Sequence, residues 1–223
     1  MYMLNQNLKE MYWKQCELDN WFSFDALPFS YLCSFSKGEF ICFEGEPIPS
    51  LYFLVEGRTK AFTTHSDGHI SLIEYNSPLS IIGEMELIGT REHVIAVQAM
   101  EPCICISFSF NLCHEKLLTD SAFLLQLSRY LSIRVRRNTQ NFVSMQAHPL
   151  EQRLCTFILS VSVDGCFSER LTETAEYLGS SYRHMQRIVE NLCHKQVLTR
   201  TRKGYMINDF SYLEEHSLPD TTL

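Results

Sequence analysis

The sequence lacks a CxxC pair and a long apolar run, and we expect no signal peptide. No two of its nine cysteines are separated by two residues, which disfavours a zinc ribbon or a thioredoxin-like redox motif. The longest uncharged stretch, Pro102–His114, is shorter and more polar than the about 20 apolar residues that a membrane span needs. The N-terminal residues have no basic flank before an apolar run. We therefore expect a cytoplasmic protein with no membrane partner and with buried, reduced cysteines.

Positive charge is scarce overall but is concentrated in one place. The formal net charge of −7 by itself disfavours a nucleic-acid partner. Residues 181–207, however, carry six basic residues and one acidic residue, whereas the rest of the chain carries 13 basic and 25 acidic residues. A basic patch on an acidic body is typical of a DNA-binding domain.

Length and composition indicate an ordinary folded protein. The 223 residues suggest one large or two modest domains, and 45% apolar with 20% charged residues excludes a disordered chain. The patterns below divide the chain into residues 1–118, 119–146 and 147–223. We expect the first 30 residues, which are rich in aromatic side chains, to form one or two short helices that close one end of the next module.

Residues 31–110 alternate between apolar and polar side chains in short runs. This period of two is typical of half-buried strands, and recurring glycine-bearing turns indicate an antiparallel roll or barrel. Together with the helices predicted before and after this region, these strands indicate an α+β fold. The predicted turns are at Lys37-Gly38, Glu44-Gly45, Glu56-Gly57, Asp67-Gly68 and Ser77-Pro78.

Residues 112–145 change to a period of three and four, which predicts a long helix. A residue in Thr119-Asp120-Ser121 is a suitable N-cap, and a helix over residues 121–145 is about 37 Å long. Its apolar stripe either packs on the roll of the same chain or forms the seam of a homodimer, in which one polar residue can fix the register. We assign this seam to Leu124, Leu127, Leu131, Asn138 and Met145.

Residues 171–205 have the pattern of a helix, a sharp turn, a second helix and a basic hairpin. Ala147-His148-Pro149 precedes this segment and is a predicted hinge, followed by a packing helix. We expect the first helix of the motif to start at Thr172 or Thr174. Gly179 provides the tight turn that a helix-turn-helix requires, and Ser181 caps the second helix.

The second helix of this motif is a predicted recognition helix. Its inner face is Met185, Ile188, Val189 and Leu192, so the opposite face is available to the major groove of double-stranded DNA. We expect base contacts from Tyr182, Arg183, Gln186 and Arg187, because arginine forks onto guanine and glutamine pairs with adenine. We expect phosphate contacts from Ser181, Arg200, Arg202 and Lys203.

Several short motifs of the roll resemble those of a known fold. They are Lys37-Gly38-Glu39, Glu44-Gly45-Glu46, Val55-Glu56-Gly57 and Ile82-Gly83-Glu84. With these motifs the chain is similar to the opening of a cyclic-nucleotide-binding β-roll, and with the C-terminal segment it resembles the Crp/Fnr family of bacterial transcription regulators over residues 31–208. Residues 83–88, 96–99 and 181–184 resemble the YeiL-like branch of that family.

The resemblance implies a homodimer with a C-terminal winged helix-turn-helix, a two-fold symmetric DNA site and RNA polymerase as a further partner. It also implies an effector pocket for an unknown small molecule in the roll. That pocket comprises Gly83, Glu84, Met85, His93, Val94 and Ile95.

Members of the family that bind cyclic nucleotides carry an arginine and a Ser/Thr about ten residues after the Gly-Glu pair. Here that window reads EHVIA at residues 92–96, and Arg91 lies two or three positions early. A phosphodiester without this cation would lose a charge-assisted contact. We therefore expect neither cAMP nor cGMP as the ligand, and we expect Glu84 to cap the short helix that follows.

Three alternatives stay open at this point. The first is a cyclic-nucleotide receptor of the same fold. The second is a redox or iron–sulfur sensor, although only Cys16 precedes Cys33, and the pair Cys103 and Cys105 is too small for a cluster. The third is a cupin-like metalloenzyme whose ligands would be His65, His69 and Glu74. We favour a regulator without catalytic residues, bound metal or other cofactor.

Overall fold

The chain forms two compact units. The structure, a computed structural model, describes residues 2–3, 6–64, 70–89 and 95–218. The first unit spans residues 1–130 and the second spans residues 131–223, so the division falls within the long helix. Within the described residues, no helix has the length and apolar character needed to cross a bilayer.

The first unit is an antiparallel β-roll with flanking helices, as the period of two predicts. Its strands form two sheets, with the orders β1-β2-β9-β4-β7 and β3-β8-β5-β6. Short 3₁₀ turns at Leu18–Trp21 and Leu27–Phe29 follow the first helix. The elements are β1 (Tyr2–Met3), α1 (Gln6–Gln15), β2 (Ser30–Phe35), β3 (Phe40–Cys42), β4 (Ser50–Glu56), β5 (Thr59–Thr64), β6 (Ile70–Asn76), β7 (Ile81–Ile82), α2 (Glu84–Ile88), β8 (Ala96–Ala99), β9 (Cys103–Ser109), α3 (Phe110–Thr119) and α4 (Ser121–Ala147).

The second unit begins in the C-terminal part of α4. Its three short strands form one antiparallel sheet in the order β10-β12-β11. The remaining elements are α5 (Leu150–Val161), β10 (Cys166–Phe167), α6 (Leu171–Tyr177), α7 (Tyr182–His194), β11 (Leu198–Thr201), β12 (Gly204–Ile207) and α8 (Phe210–Glu215). The predicted hinge at residues 147–149 lies between α4 and α5.

Alternation along the strands sends cysteine sulfurs into the interior of the roll. Cys33 and Cys105 are directly opposed on β2 and β9 and are at most 1% exposed. Burial raises the pKa of Cys42 to about 12 and that of Cys103 to about 11, which leaves both as neutral thiols near pH 7. The prediction of buried cysteines is confirmed at six positions, whereas Cys16, Cys166 and Cys193 are only partly buried.

The N-terminal helix α1 is fixed to the roll by polar contacts that its aromatic pattern did not reveal. Lys9 is 7% exposed, and its ammonium group donates to the carbonyl oxygens of Leu27 and Ser30 at 3.1 and 2.9 Å. The hydroxyl of Tyr12 donates to the carboxylate of Glu56 on β4. The two bonds of Lys9 satisfy a buried cation that would otherwise destabilise the fold.

Asp120 is the N-cap of α4. Its carboxylate accepts the amides of Ala122 and Ser23 at 3.1 and 2.9 Å. Burial raises the pKa of Asp120, but the hydrogen bonds from Ser23, Ala122 and Phe123 outweigh burial and lower it overall. The start of α4 is therefore tied to the N-terminal segment by a carboxylate that is stable in its charged form.

Candidate nucleic-acid interface

The turn between α6 and α7 has the geometry of a helix-turn-helix. Gly179 adopts a φ of +64°, in the left-handed region that favours glycine. The hydroxyl of Ser181 accepts the amide of His184 at 3.2 Å, so the predicted N-cap of α7 is confirmed. The predicted start of the first helix is wrong, because α6 begins at Leu171. Thr174 instead is fully buried, and its hydroxyl donates to the carbonyl of Arg170 at 3.0 Å.

The inner face of α7 is as predicted. Met185, Ile188, Val189 and Leu192 are each at most 8% exposed. They recur at three and four residues, which places them on one side of a 13-residue helix. The burial of this stripe fixes the rotation of α7 and therefore decides which side chains face solvent.

The outer face of α7 carries the predicted base-reading residues. Tyr182 is 48% exposed, and Arg183, Gln186 and Arg187 are also exposed. Gln186 donates from Nε2 to the Glu190 carboxylate at 2.9 Å. This i,i+4 bond orients the amide before any ligand arrives, and it places a negative charge beside the basic face.

The basic hairpin is a wing formed by β11 and β12. Arg200 lies on β11, while Arg202 and Lys203 form the turn, and all three side chains are exposed. Gly204 is required here because a Cβ at this position would lie 2.2 Å from the carbonyl oxygen of Phe167. The hydroxyl of Thr201 closes the turn by accepting the Lys203 amide at 3.3 Å.

Two polar contacts that sequence reasoning missed hold the helices of the second unit together. The guanidinium of Arg153 on α5 donates to the carbonyl of Leu178, at the end of α6, and to that of His148 at 3.2 Å. It therefore links the predicted hinge to the turn of the helix-turn-helix. The sequence shows Arg153 only as a single arginine within an apolar helix, and such an arginine is more often exposed to solvent than bonded to the backbone.

The helix α4 carries two stripes, and the predicted seam combined them. Leu127 is 1% exposed in the first unit, beside Phe123, whose ring stacks on that of Phe22 at 5.6 Å. Leu127 is therefore not available to a partner, and its assignment to a dimer seam is wrong. The side chain of Met145 lies outside the described residues.

The other stripe of α4 follows a seven-residue repeat. Leu124, Leu131 and Asn138 are spaced by seven, and the two leucines are only half-buried. Val135 and Phe142 are 64% and 61% exposed and also lie seven residues apart. The alternating steps of three and four generate one continuous face of a helix, the pattern of a two-stranded coiled coil. Its members in order are Leu124, Ser128, Leu131, Val135, Asn138 and Phe142.

The predicted effector segment is only partly described. Gly83 is the N-cap of α2 with a φ of +93°, and Glu84 is the first residue of the helix and is 4% exposed. The expectation that Glu84 caps α2 is therefore corrected, since Glu84 lies in the first turn, where the helix dipole favours a carboxylate. Met85 is 47% exposed, and Ile95 packs against the interior core of the roll. His93 and Val94 lie outside the described residues.

A cleft of about 550 Å³ lies beside this segment. Its lining includes Ile48, Glu86 on α2, and Phe110 and His114 on α3, but neither Gly83 nor Glu84. The described lining of the cleft therefore shares no residue with the predicted effector pocket.

Of the three residues considered for a metal site, the structure describes only Glu74. Glu74 lies on β6 and is 4% exposed, whereas His65, His69, Asp67 and Gly68 fall outside the described residues. Across the described part of the chain, no group of three His, Cys, Asp or Glu side chains is placed to hold a metal ion.

Comparisons with known proteins agree with this architecture. The cyclic nucleotide-binding domain family matches residues 32–119. The chain is 34% identical to the regulatory protein YeiL of Escherichia coli O157:H7 over 202 residues, which is 91% of this chain and 90% of YeiL. It is 25% identical to the transcriptional activator Anr of Pseudomonas protegens over 56% of this chain and 51% of Anr.

Two solved structures share the fold. FixK2 from Bradyrhizobium japonicum superposes with a TM-score of 0.69 at 18% identity, covering 86% of this chain and 99% of FixK2. A CRP-family transcriptional regulator from Thermus thermophilus gives a TM-score of 0.71 at 19% identity, covering 82% of this chain and 95% of that protein. The extent and level of identity to YeiL, together with the shared fold, establish that this chain belongs to the Crp/Fnr family of transcription regulators.

Proposed function

We propose that the chain is a homodimeric regulator that binds double-stranded DNA at a two-fold symmetric site. The observation that carries the proposal is the rotation of α7, whose buried stripe leaves Tyr182, Arg183, Gln186 and Arg187 exposed together. A capped helix N-terminus with outward arginines suits insertion into the major groove.

The wing supports the same proposal through charge. Arg200, Arg202 and Lys203 are exposed at one hairpin, where their cations can contact phosphates. Phosphate contacts position a protein on the duplex, whereas base contacts select the sequence. The chain therefore has separate groups for affinity and for specificity.

The exposed heptad stripe of α4 supports the homodimer. Val135 and Phe142 are large apolar side chains that remain more than half exposed in the single chain. Pairing of this stripe with its copy removes them from water, and Asn138 on the same face favours two strands in one register. Each chain of the dimer contributes one DNA-binding head, which comprises the helix-turn-helix and the wing. Two joined heads read half-sites whose centres lie about 34 Å apart.

The experiment is selection of binding DNA from a random library by the full-length protein, followed by anisotropy titration on the selected site. Enriched sequences with inverted half-sites and a ratio of two chains per site support the proposal. A single, non-repeated half-site bound by one chain contradicts the dimer, and no enrichment contradicts sequence-specific binding.

The proposal includes regulation that does not depend on cAMP or cGMP. The Gly83-Glu84 pair is present, but no arginine lies in residues 92–96. A buried phosphodiester would then lack its charge-assisted partner. Titration calorimetry with each nucleotide tests this point, because micromolar binding overturns it.

The sensor alternative is disfavoured by the environment of the cysteines. Cys105 is fully buried, and among the described residues no group of three His, Cys, Asp or Glu side chains is placed to hold a metal ion, whereas an iron–sulfur cluster is typically held by four cysteines. Anaerobic purification decides this alternative, because iron with visible absorption would establish it.

A further inference from the structure

One hydroxyl group bridges the long helix α4 and the strand that leads into α2. The hydroxyl oxygen of Tyr130 accepts the amide of Ile81 at 3.1 Å and donates to the carbonyl of the same residue at 3.4 Å. Both backbone groups of one residue are therefore bonded to one side chain.

The location of Ile81 explains why this contact matters. Ile81 lies on β7, the edge strand of the five-stranded sheet, where it pairs with Phe53 of β4 on one side. Its side chain is 2% exposed. Backbone groups at an edge have no next strand, and leaving them unpaired in a buried setting is costly. The hydroxyl of Tyr130 takes the place of that next strand.

The strand β7, which carries Ile81, is itself held in place against β4. Ile82 pairs with Tyr52, and the amide of Leu54 donates to the carbonyl of Ser80 at 2.9 Å. A Cβ on Gly83 would lie 2.8 Å from the carbonyl of Ser50, so the backbone here is close against β4. Ile81 is therefore a fixed point to which a helix can be attached.

The position of Tyr130 along α4 gives the contact a second role. Phe123 and Leu127 bury the N-terminal part of α4 in the roll, and Tyr130 is the last residue of the first unit. From Leu131 onwards the described side chains of α4 are half-buried or exposed. The bond to Ile81 thus lies at the point where the helix leaves the roll.

We propose that Tyr130 is a positioning residue that sets how α4 leaves the roll and thereby how the two DNA-binding heads of the dimer are presented. This inference rests on the proposed function, since it assigns the residue that couples the roll to the paired heads. The bond between the Tyr130 hydroxyl and Ile81, two residues before Gly83, transmits a displacement of β7 to α4.

The test compares Tyr130→Phe with Tyr31→Phe in the full-length protein. Both changes remove one hydroxyl from a tyrosine of the first unit, but Tyr31 is a 37% exposed strand residue. The first readout is hydrogen exchange in residues 81–82 and 131–140. Loss of the bond in Tyr130→Phe should speed exchange in both segments by about 2- to 10-fold, whereas Tyr31→Phe should match wild type.

The second readout is affinity for the selected two-fold site and for one isolated half-site. We expect Tyr130→Phe to weaken binding to the full site by about 3- to 10-fold and to leave half-site binding unchanged, because each head is intact. If Tyr130→Phe loses the same affinity for the full site and for the half-site, or keeps wild-type affinity for the full site, the inference is overturned. Tyr130 would then be only a structural contact.

The two proposals fail in distinguishable ways. If wild-type protein enriches no DNA, the proposed function fails, and hydrogen exchange still decides whether Tyr130 positions α4. If residues 131–140 exchange at the wild-type rate in Tyr130→Phe, the positioning role fails even when wild-type protein binds its site.

Discussion

The ammonium nitrogen of Lys195 lies 3.2 Å from the carboxylate oxygen of Glu151, which connects the C-terminal end of α7 to α5. The hydroxyl of Tyr212 on α8 bonds to both groups, at 2.6 Å from Lys195 and 3.0 Å from Glu151. Three helices of the second unit therefore meet at one network of charge-assisted hydrogen bonds.

This network makes the second unit sensitive to acid. Burial raises the pKa of Glu151, but its bonds to Lys195 and Tyr212 outweigh burial and lower it below its usual value of 4.5. A depressed carboxylate pKa stabilises the fold above the unfolded pKa, and that contribution is lost as the pH falls through the folded pKa. We expect the free energy of unfolding to fall below about pH 4.5 and to fall less in Glu151→Gln. Chemical denaturation from pH 7 to pH 3 measures the difference, and identical pH profiles would contradict the role of Glu151.

The two kinds of basic residue should respond differently to substitution. Arg183→Ala or Arg187→Ala should cost about 1–3 kcal/mol on the selected site and reduce discrimination against altered bases. Lys203→Ala should weaken selected and scrambled DNA alike, because a phosphate contact carries no sequence information. Anisotropy titrations on both DNAs make the comparison. If all three variants lose the same affinity on both, the assigned orientation of α7 is wrong.

Removal of the negative charge at Glu190 should tighten DNA binding. The Glu190→Gln side chain can still accept the hydrogen bond from Gln186, so the change isolates the charge from the geometry. We expect tighter binding at low salt on selected and scrambled DNA, with a smaller gain at high salt. Glu115→Gln, the same change at an exposed position of α3, is the matched control and should leave affinity unchanged. Weaker binding of Glu190→Gln would indicate that Glu190 itself contacts a base.

Substitutions can distinguish the roles of the two apolar stripes of α4, one exposed and one packed in the roll. Val135→Glu places a charge on the exposed heptad stripe and should convert the proposed dimer to a folded monomer of unchanged thermal stability at low concentration. Leu127→Ala empties a buried site in the roll and should destabilise it by about 2–5 kcal/mol without changing the association state of the folded fraction. Sedimentation velocity and thermal unfolding give both quantities. A dimeric Val135→Glu protein would remove the heptad stripe from the interface.

The sequence predicted the second unit well because its signals are local. The capping hydroxyl of Ser181, the glycine of the turn at Gly179 and the stripe from Met185 to Leu192 each act within one or two helical turns. The architecture of the roll could be predicted equally well, since alternating apolar and polar residues and glycine-bearing turns indicate antiparallel strands.

The errors arose where the outcome depends on distant residues. Leu127 fits an apolar period in α4, but Phe22, more than a hundred residues earlier, lies beside its neighbour Phe123 and fixes that face in the roll. Counting by seven did not exclude Leu127, because it lies three residues after Leu124 and fits the a and d positions of the same repeat. The contact between Tyr130 and Ile81 leaves no pattern in the sequence, because Ile81 contributes only its backbone amide and carbonyl to it.

The salt dependence of binding to the selected two-fold site tests the central claim most directly. Anisotropy titrations of wild-type protein between 50 and 200 mM salt (about a fourfold range) give the slope of log affinity against log salt concentration. If two heads each neutralise phosphates through Arg200, Arg202 and Lys203, affinity should fall steeply, with a slope of about −0.9 per neutralised phosphate. A steep slope with sequence preference retained is the result we expect, and a flat response would contradict DNA binding through this surface.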